Sequence, residues 1–231
     1  MVLCQMTDSP HIELLELGVG TQPVAVIDGF ASSPEHWRNQ SLGPGYAARG
    51  DFYPGQRRNV DPAYFEDVGK RLGKIMRSAF GCSRSLRVER ALYSIVDTNP
   101  ADLSLAQRIP HFDNSAEDAF ALVHYLSLGR YGGTAFYRHR STGMSQIHAS
   151  QHAEYLEALG KDFATYGEPR PSYIDGSTAI FEQIGRVDFA NNRAAIYRAN
   201  QLHCPIVPNE VQHLRGPTGG RLTIAVFFRA T

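Results

Sequence analysis

The sequence predicts a mostly β fold, a sandwich or jelly roll whose helices pack on one face. Helical apolar periodicity is concentrated in the first eighty residues, and runs rich in β-branched and aromatic side chains follow from residue 86 onward. Short turns containing Gly, Pro or Asn separate these runs. Early helices, late strands and short turns are typical of an antiparallel two-sheet architecture. Neither a repeat nor a linker interrupts the sequence, so we expect one domain spanning residues 1–231.

Composition narrows the classes of partner. The chain has 231 residues, of which 42% are hydrophobic, enough for one large core. Its 23 basic and 23 acidic side chains cancel. We therefore expect neither a nucleic-acid partner nor a charged membrane surface, and we expect a small-molecule or peptide substrate. A homodimer is suggested only by how common twofold oligomers are.

The cysteines and the apolar runs bear on location. The three cysteines are far apart and form no Cys-x-x-Cys pair, which argues against a disulfide framework and a zinc finger. No segment approaches the ~18 apolar residues of a membrane span, and residues 1–10 lack a signal-peptide pattern. These features predict a soluble protein of the reducing cytoplasm.

The first half of the chain is predicted to contain two strands and two helices. Ser33 before Pro34 has the pattern of a helix start, and Gly81 has the pattern of a helix end. Several glycines and prolines among aromatic residues predict a loop over 43–58 that could close over a substrate. The predicted elements are a strand over 23–30, a helix beginning at Pro34, a helix from the N-cap Asp61 to Gly81, and a strand over 86–96.

The second half is predicted to be mostly antiparallel sheet with one helix. The turn at Gly132 and Gly133 suggests that the strands before and after it form a hairpin. Ser150 is the predicted N-cap of the helix, which ends at Gly167. The predicted elements are strands over 120–126, 132–137, 178–189, 193–197 and 222–228, and a helix over 150–166.

The chemically distinctive stretch runs from Arg108 to Asp113. His111 and Asp113 lie two positions apart on an extended segment, so the period of a strand directs the imidazole and the carboxylate to the same side. A histidine from a distant strand would complete a set of two histidines and one carboxylate, whose open positions on Fe(II) suit oxygenase chemistry. His203, after the strand-like run 194–202, is the candidate. A His-x-Asp motif by itself occurs by chance in many strands.

Three segments together resemble the Fe(II)- and 2-oxoglutarate-dependent oxygenase superfamily. They span residues 93–228 in order, whereas the first eighty residues match only as a generic entry to the fold. The similarity is greatest to the prolyl 4-hydroxylase branch. The segments are Pro110-His111-Phe112-Asp113 for the metal motif, Gly132-Gly133-Thr134-Ala135-Phe136 for the hairpin after it, and His203-Cys204-Pro205-Ile206-Val207 around the distal histidine.

The resemblance implies a fold, a reaction and a set of cofactors. The fold would be a double-stranded β-helix of the cupin-like jelly-roll type with flanking helices. The protein would be a dioxygenase that uses Fe(II), 2-oxoglutarate as cosubstrate, and dioxygen. Its reaction would hydroxylate, or otherwise oxidise, an unactivated C–H bond of a small-molecule or peptidyl substrate.

The resemblance also implies roles for individual residues. His111, Asp113 and His203 would bind the iron as the catalytic set and leave positions for bidentate 2-oxoglutarate and then dioxygen. Arg221 offers a planar two-donor fork for the distal carboxylate of 2-oxoglutarate, and Thr223 lies on the same face of the strand. Tyr125 is a further candidate donor to the cosubstrate, although buried tyrosines in sheets are commonly structural.

The spacing of the distal residues departs from the family pattern and leaves two alternatives open. In much of the superfamily the basic residue follows the distal histidine by about ten positions, whereas His203 and Arg221 are eighteen positions apart. Either 208–219 is a long turn between the last two strands, or His213 is the metal ligand. His203 is favoured as the ligand because it directly follows the strand-like run 194–202. Arg215 remains a rival of Arg221 for the carboxylate.

Several further side chains are interpreted as structural. His124 alternates with apolar neighbours, as a hydrogen-bonded core histidine does. Cys204 is expected to pack rather than to bind the metal, because a thiolate would close a position that oxygen needs. Asn114 could orient a ligand or form a turn. The histidines predicted to be exposed are His139, His148 and His152.

Two other functions fit parts of the sequence. A jelly roll with a His/Asp site could hold Zn or Mn and catalyse hydrolysis or isomerisation without 2-oxoglutarate, although such chemistry does not require Arg221-x-Thr223. A non-catalytic jelly roll could use the same fold to bind a sugar or a peptide. The early-loop residues that could cover a peptide or an aromatic small molecule are Tyr46, Phe52, Tyr53, Arg57 and Arg58.

Overall fold

The structure is a computed structural model, and it describes residues 11–18, 23–48, 52–129, 131–208 and 220–231. Within these ranges no helix is long and apolar enough to cross a membrane. The helices are α1 (Pro34–Gln40), α2 (Tyr64–Phe80) and α3 (His152–Tyr166). The strands are β1 (Ile12–Leu15), β2 (Val24–Ile27), β3 (Ala47–Ala48), β4 (Gly55–Asn59), β5 (Leu86–Val96), β6 (Ala119–Tyr125), β7 (Thr134–His139), β8 (Phe181–Val187), β9 (Ala194–Arg198), β10 (His203–Pro205) and β11 (Arg221–Ala230).

The strands form two antiparallel sheets. The large sheet has the strand order β1-β2-β9-β6-β11-β5-β4-β3, and the small sheet has the order β10-β7-β8. After β6 the chain passes to the small sheet for β7 and β8, returns for β9, crosses again for β10 and returns for β11. This winding between two facing sheets is that of a jelly roll. The predicted double-stranded β-helix with flanking helices is therefore confirmed.

The two sheets divide the core into three apolar layers. Helices α1 and α2 pack on the outer face of the large sheet, the two sheets face each other, and α3 covers the outer face of the small sheet. The prediction of helices on one face is thus wrong. Strand β7 buries apolar side chains on both of its faces, so its outer face also needs a cover. Representative residues of the layers, in the same order, are Trp37, Ile75 and Ile224; Tyr125, Phe136 and Phe227; Tyr155 and Phe181.

Helix α2 follows its sequence pattern closely. Its apolar residues at three- and four-residue spacing are buried or partly buried, and Gly81 ends it in the left-handed conformation at φ 62°. Asp61 accepts a hydrogen bond from the amide of Ala63 at 2.9 Å, so it caps the preceding turn and the helix begins at Tyr64. At α1, Ser33 makes no capping bond with its side chain. Its amide donates instead to the carboxylate of Asp67 on α2.

The predicted loop over 43–58 is partly sheet. Gly55 to Asn59 pair with β5, with Arg57 opposite Ser94. Residues 49–51 lie outside the described residues. Strand β5 is eleven residues long and presents backbone donors and acceptors along its edge. Pairing with that edge outweighs the loop-like composition, because backbone groups near a core need partners.

The predicted hairpin around Gly132 and Gly133 is also wrong. Both of its strands exist, but β6 lies in the large sheet and β7 in the small sheet. A side chain on Gly132 would collide with the backbone of Ile206, and one on Gly133 with that of Val187. These glycines permit close approach of neighbouring chain segments rather than a hairpin turn.

The prediction of Ser150 as the N-cap of α3 is wrong as well, because a 3-10 turn, Ala149–Gln151, precedes the helix.

Candidate metal centre

Backbone pairing holds the predicted metal motif in place. His111 and His203 exchange two backbone hydrogen bonds, with N···O distances of 2.9 and 2.8 Å. The amide of Asp113 donates to the carbonyl of Ala199 at 2.8 Å. Strand β9 ends at Arg198, and His203 begins β10 rather than ending a longer strand. The short turn between these strands therefore brings the distal histidine beside the His-x-Asp motif.

The three predicted ligands converge. The Nε2 atom of His111 lies 3.9 Å from Oδ1 of Asp113, and Nε2 of His203 lies 3.5 Å from Oδ2 of Asp113. These distances are too long for hydrogen bonds. One ligand atom from each residue lies within 4.8 Å of the other two, which groups the three as a possible metal-binding set. Within the described ranges this is the one group of three or more His, Cys, Asp or Glu residues with such geometry.

Hydrogen bonding and burial prepare the histidines to bind a cation. Nδ1 of His203 lies 2.9 Å from the carbonyl oxygen of Gln201, so it carries the proton and leaves the lone pair on Nε2. Burial, with repulsion from His203 and Arg57, holds the pKa of His111 well below its usual range. Burial raises the pKa of Asp113 against the opposing effect of His203, Arg57 and Arg90. A neutral His111 and a poorly solvated carboxylate are a suitable donor set for a divalent cation.

A cavity of about 50 Å³ lies between the sheets next to the three ligands. Space of this size admits water-sized groups, and its walls combine apolar side chains with a few polar ones. Residues at alternate positions of β11 contribute to it, as expected for one face of a strand. The lining outside the ligand set includes Arg57, Thr134, Tyr197, Arg221, Thr223 and Phe227.

Arg221 is held rigidly in this cavity. It is 5% exposed, its Nε donates to the carbonyl of Gly132 at 2.9 Å, and its Nη2 donates to that of Gly133 at 2.7 Å. Thr223 lines the same cavity two residues further along β11. The sequence placed both residues on one face, and the structure brings them to the cavity. No acidic side chain within the described ranges forms an ion pair with Arg221.

Tyr125 lies behind the cavity wall. Its hydroxyl is 2.8 Å from Oγ1 of Thr134, and the guanidinium carbon of Arg221 lies 5.3 Å from the centre of its ring. It therefore touches residues that line the cavity. Its role as a donor to the cosubstrate stays a prediction. The rival residues His213 and Arg215 lie outside the described residues, so both alternatives to His203 and Arg221 stay open as predictions.

Two residues of the cavity were not singled out for it from the sequence. Arg57 was predicted only as an early-loop residue that could cover a substrate, whereas its guanidinium carbon lies 3.8 Å from the centre of the Tyr53 ring and its side chain lines the cavity. Tyr197 packs against His203 with ring centres 4.8 Å apart. Its alternation with buried Ala195 along β9 was the available signal, since both face the inter-sheet layer.

The other histidines make different contacts. His124 is fully buried, with Nδ1 2.9 Å from the Tyr64 hydroxyl and Nε2 3.0 Å from Oδ1 of Asn192, so the prediction of a core histidine is confirmed. The prediction that His139 is exposed is wrong, because its side chain is 0% exposed. His148 keeps 40% of its side chain exposed and His152 is exposed.

Cys204 and Asn114 have structural contacts. Cys204 is buried in the layer under α3, on the opposite side of β10 from His203. Burial raises the pKa of its thiol to about 12. The thiol therefore stays protonated and contributes packing. Oδ1 of Asn114 accepts from the amide of Ala116 at 2.9 Å, which makes it a turn residue.

Comparison with known proteins identifies the family. Residues 8–228 match the sequence model described as "Family of unknown function (DUF6445)", so the chain belongs to that family. No curated protein sequence matches it.

Solved structures of similar fold include HygX from Streptomyces hygroscopicus with nickel and 2-oxoglutarate bound. HygX shows 13% identity over 91% of this chain and 84% of its own, with a TM-score of 0.49. The non-heme alpha ketoglutarate dependent epimerase SnoN from nogalamycin biosynthesis shows 11% identity over 89% of this chain and 76% of its own, with a TM-score of 0.46. Likeness at this level assigns no activity to the chain.

Proposed function

We propose that this protein is an Fe(II)- and 2-oxoglutarate-dependent dioxygenase that hydroxylates, or otherwise oxidises, an unactivated C–H bond of a small-molecule or peptidyl substrate. One observation carries the proposal: His111, Asp113 and His203 converge beside an inter-sheet cavity that also contains the buried cation of Arg221. Two imidazoles and one carboxylate are the donor set that suits Fe(II) with open coordination positions.

The protein's own groups would hold and orient the reactants. His111 and His203 would offer neutral ring nitrogens, and Asp113 would offer one carboxylate oxygen. Bound Fe(II) and 2-oxoglutarate together would supply the activation of dioxygen that oxidises a C–H bond. The apolar walls from Tyr197 and Phe227 would exclude water from the site.

Arg221 would bind the distal carboxylate of 2-oxoglutarate. Two of its five N–H donors are committed to the backbone carbonyls of Gly132 and Gly133, which fix the plane of the guanidinium. Its remaining donors and the Thr223 hydroxyl could then meet a carboxylate with little loss of side-chain freedom. A hydrolase or isomerase with Zn or Mn at the same ligands would not require this cation. Motif similarity favours the prolyl 4-hydroxylase-like branch, which by itself does not name the substrate.

Metal and cosubstrate binding test the proposal. Anaerobically prepared protein should bind one Fe(II) per chain and should bind 2-oxoglutarate only when metal is present. With dioxygen admitted, it should release succinate slowly without added substrate. Metal binding without affinity for 2-oxoglutarate would favour the Zn or Mn alternative, and failure to bind metal would favour a non-catalytic jelly roll.

Variants at the two candidate arginines and histidines sharpen this test. Arg221→Gln should keep the metal but weaken 2-oxoglutarate binding on the order of a hundredfold, the value of a charge-assisted contact in a dry cavity. Arg229→Gln, on the same strand but paired at the surface with Asp118, is the matched control and should bind like the wild type. Arg215→Ala and His213→Ala should also change little. A hundredfold loss of 2-oxoglutarate affinity in Arg215→Ala instead would mean that Arg215, and not Arg221, binds the carboxylate.

A further inference from the structure

A second pocket, whose lining does not include Arg221, adjoins the metal centre. We call this pocket the mouth, and its volume is about 220 Å³. Arg57 and the ligands His111 and Asp113 line both the mouth and the inter-sheet cavity, so the two spaces meet at the proposed metal. The mouth is lined by Phe52, Tyr53, Arg57, Arg90, Phe112 and Phe227, beside those ligands.

The lining of the mouth carries more positive than negative charge. Within the described ranges neither Arg57 nor Arg90 forms an ion pair with Asp or Glu. Nε of Arg57 is buried and has no hydrogen-bond partner there. Asp113 is the acid that borders the mouth, and two arginines against one carboxylate leave a net positive charge even without a bound metal. Guanidinium groups near a core are normally paired, so this arrangement leaves donors for an anion.

Both arginines are positioned by neighbouring rings. Arg57 projects from β4 and stacks 3.8 Å over the centre of the Tyr53 ring. Arg90 stands opposite Phe227 in the register of β5 and β11, with its guanidinium carbon 4.8 Å from the centre of that ring. Arg57 lies 5.8 Å from the same ring centre. The two planar cations therefore flank one aromatic surface, which limits the freedom they would lose on binding a ligand.

We propose that the mouth selects a substrate that bears a carboxylate or phosphate group, held by Arg57 and Arg90. The aromatic walls would pack against the part of the substrate next to this group. That part would then face His111 and Asp113, where the reaction of the proposed function would take place. The choice of substrate rests on the proposed function, whereas anion binding by the mouth can be measured without it.

Calorimetric titration of the metal-free protein tests the inference. The probes are phenylacetate and phenyl phosphate, which distinguish the two anions, and phenylacetamide, their neutral counterpart. The better of the two anions should bind at least about tenfold more tightly than the amide, and its affinity should fall as salt is raised. Arg57→Gln should weaken anion binding about tenfold, and Arg90→Gln two- to threefold because Arg90 is exposed.

Arg87→Gln is the matched control on the same strand. Arg87 is exposed, lies outside the mouth and sits 3.4 Å from Glu89, so its loss should leave anion affinity unchanged. Circular dichroism checks that each variant folds. If Arg57→Gln does not fold, Arg57→Lys, which keeps the charge but not the planar fork, should still weaken the binding of the preferred anion.

Four results would overturn the inference. They are equal affinity for anion and amide, no measurable anion binding by the wild type, wild-type affinity in Arg57→Gln, and loss of anion binding in Arg221→Gln alone. The last result would place the anion at the proposed cosubstrate site. Failure of the protein to bind iron or to release succinate would defeat the proposed function but would not alter this titration, which contains neither.

Discussion

Two regions of the molecule place histidine next to aspartate, and they differ in whether the polar atoms of these side chains are free to bind a ligand. Under α3, Nε2 of His139 lies 2.9 Å from Oδ2 of Asp162, and Nδ1 lies 3.0 Å from Oγ1 of Thr142. The same oxygen of Asp162 also accepts a hydrogen bond from Ser141 at 2.6 Å. Each ring nitrogen of His139 therefore already has a protein atom beside it.

The candidate metal centre has the opposite arrangement. Nε2 of His111 and Nε2 of His203 approach Asp113 no closer than 3.9 and 3.5 Å, beyond hydrogen-bonding distance. Three ligand atoms therefore face a common space rather than each other. The difference teaches that residue types do not separate a structural pair from a ligand set. What separates them is whether a polar protein atom already lies within about 3 Å of each ring nitrogen.

The largest effect is expected when a ligand of the candidate metal centre is removed. Iron affinity should fall at least about a hundredfold in each of three variants, His111→Ala, Asp113→Ala and His203→Ala. Each variant removes a metal ligand while the apolar layers remain. Metal analysis after dialysis measures the loss, and circular dichroism checks the fold. His139→Gln is the control, since it should keep iron at the wild-type stoichiometry. Iron retained by Asp113→Ala would remove the metal assignment.

A smaller effect, on stability, should appear when the buried pair of His139 and Asp162 is broken. Asp162→Ala leaves His139 and Ser141 without their partner in a buried layer and should lower the free energy of unfolding by about 2–3 kcal/mol. Its iron content should not change. Urea denaturation measures the stability. Glu157→Ala, which removes an exposed partner of Lys161 on the same helix, should leave stability unchanged. Equal losses in the two variants would mean that the buried pair has no special role.

His124, a second histidine whose two ring nitrogens both have polar protein partners, predicts a dependence of stability on pH. Burial lowers the pKa of His124 to about 4, whereas the unfolded chain has the ordinary value near 6.5. Below pH 6.5 the unfolded state binds the proton first, so the contribution of His124 is full above 6.5 and falls as the pH approaches 4. The loss at pH 5 should be about 2 kcal/mol.

Comparison with His124→Gln isolates this contribution. Urea denaturation of both proteins at pH 7 and pH 5 should give a smaller change for the variant. An identical change in wild type and variant would show that other groups carry the pH dependence.

The smallest effect on stability concerns one hydrogen bond to His124. Tyr64→Phe removes the hydroxyl that meets Nδ1 of His124 and should cost about 1 kcal/mol while keeping the apolar contacts of the ring. Thermal denaturation should reveal it as a lowered midpoint. Tyr166→Phe, at the exposed end of α3, provides the control and should melt like the wild type. A Tyr64→Phe midpoint equal to that control would mean that water replaces the lost partner.

Local sequence patterns determined the elements whose cause is itself local. The three- and four-residue apolar spacing with Gly81 predicted α2, and β-rich runs predicted β5, β6 and β11. The two-residue period also put His111 and Asp113 on one side. These predictions succeeded because helix and strand periods relate residues that are close in the chain.

Only the tertiary structure decided the features that depend on distant partners. Pairing with the edge of β5 turned Gly55 to Asn59 into a strand, and α3 buried His139. The same long-range pairing set the distance from His203 to Asp113 and brought Arg57 into the site. No local pattern contains these facts, because a backbone edge or a polar atom is stabilised by whichever partner the folded chain brings to it.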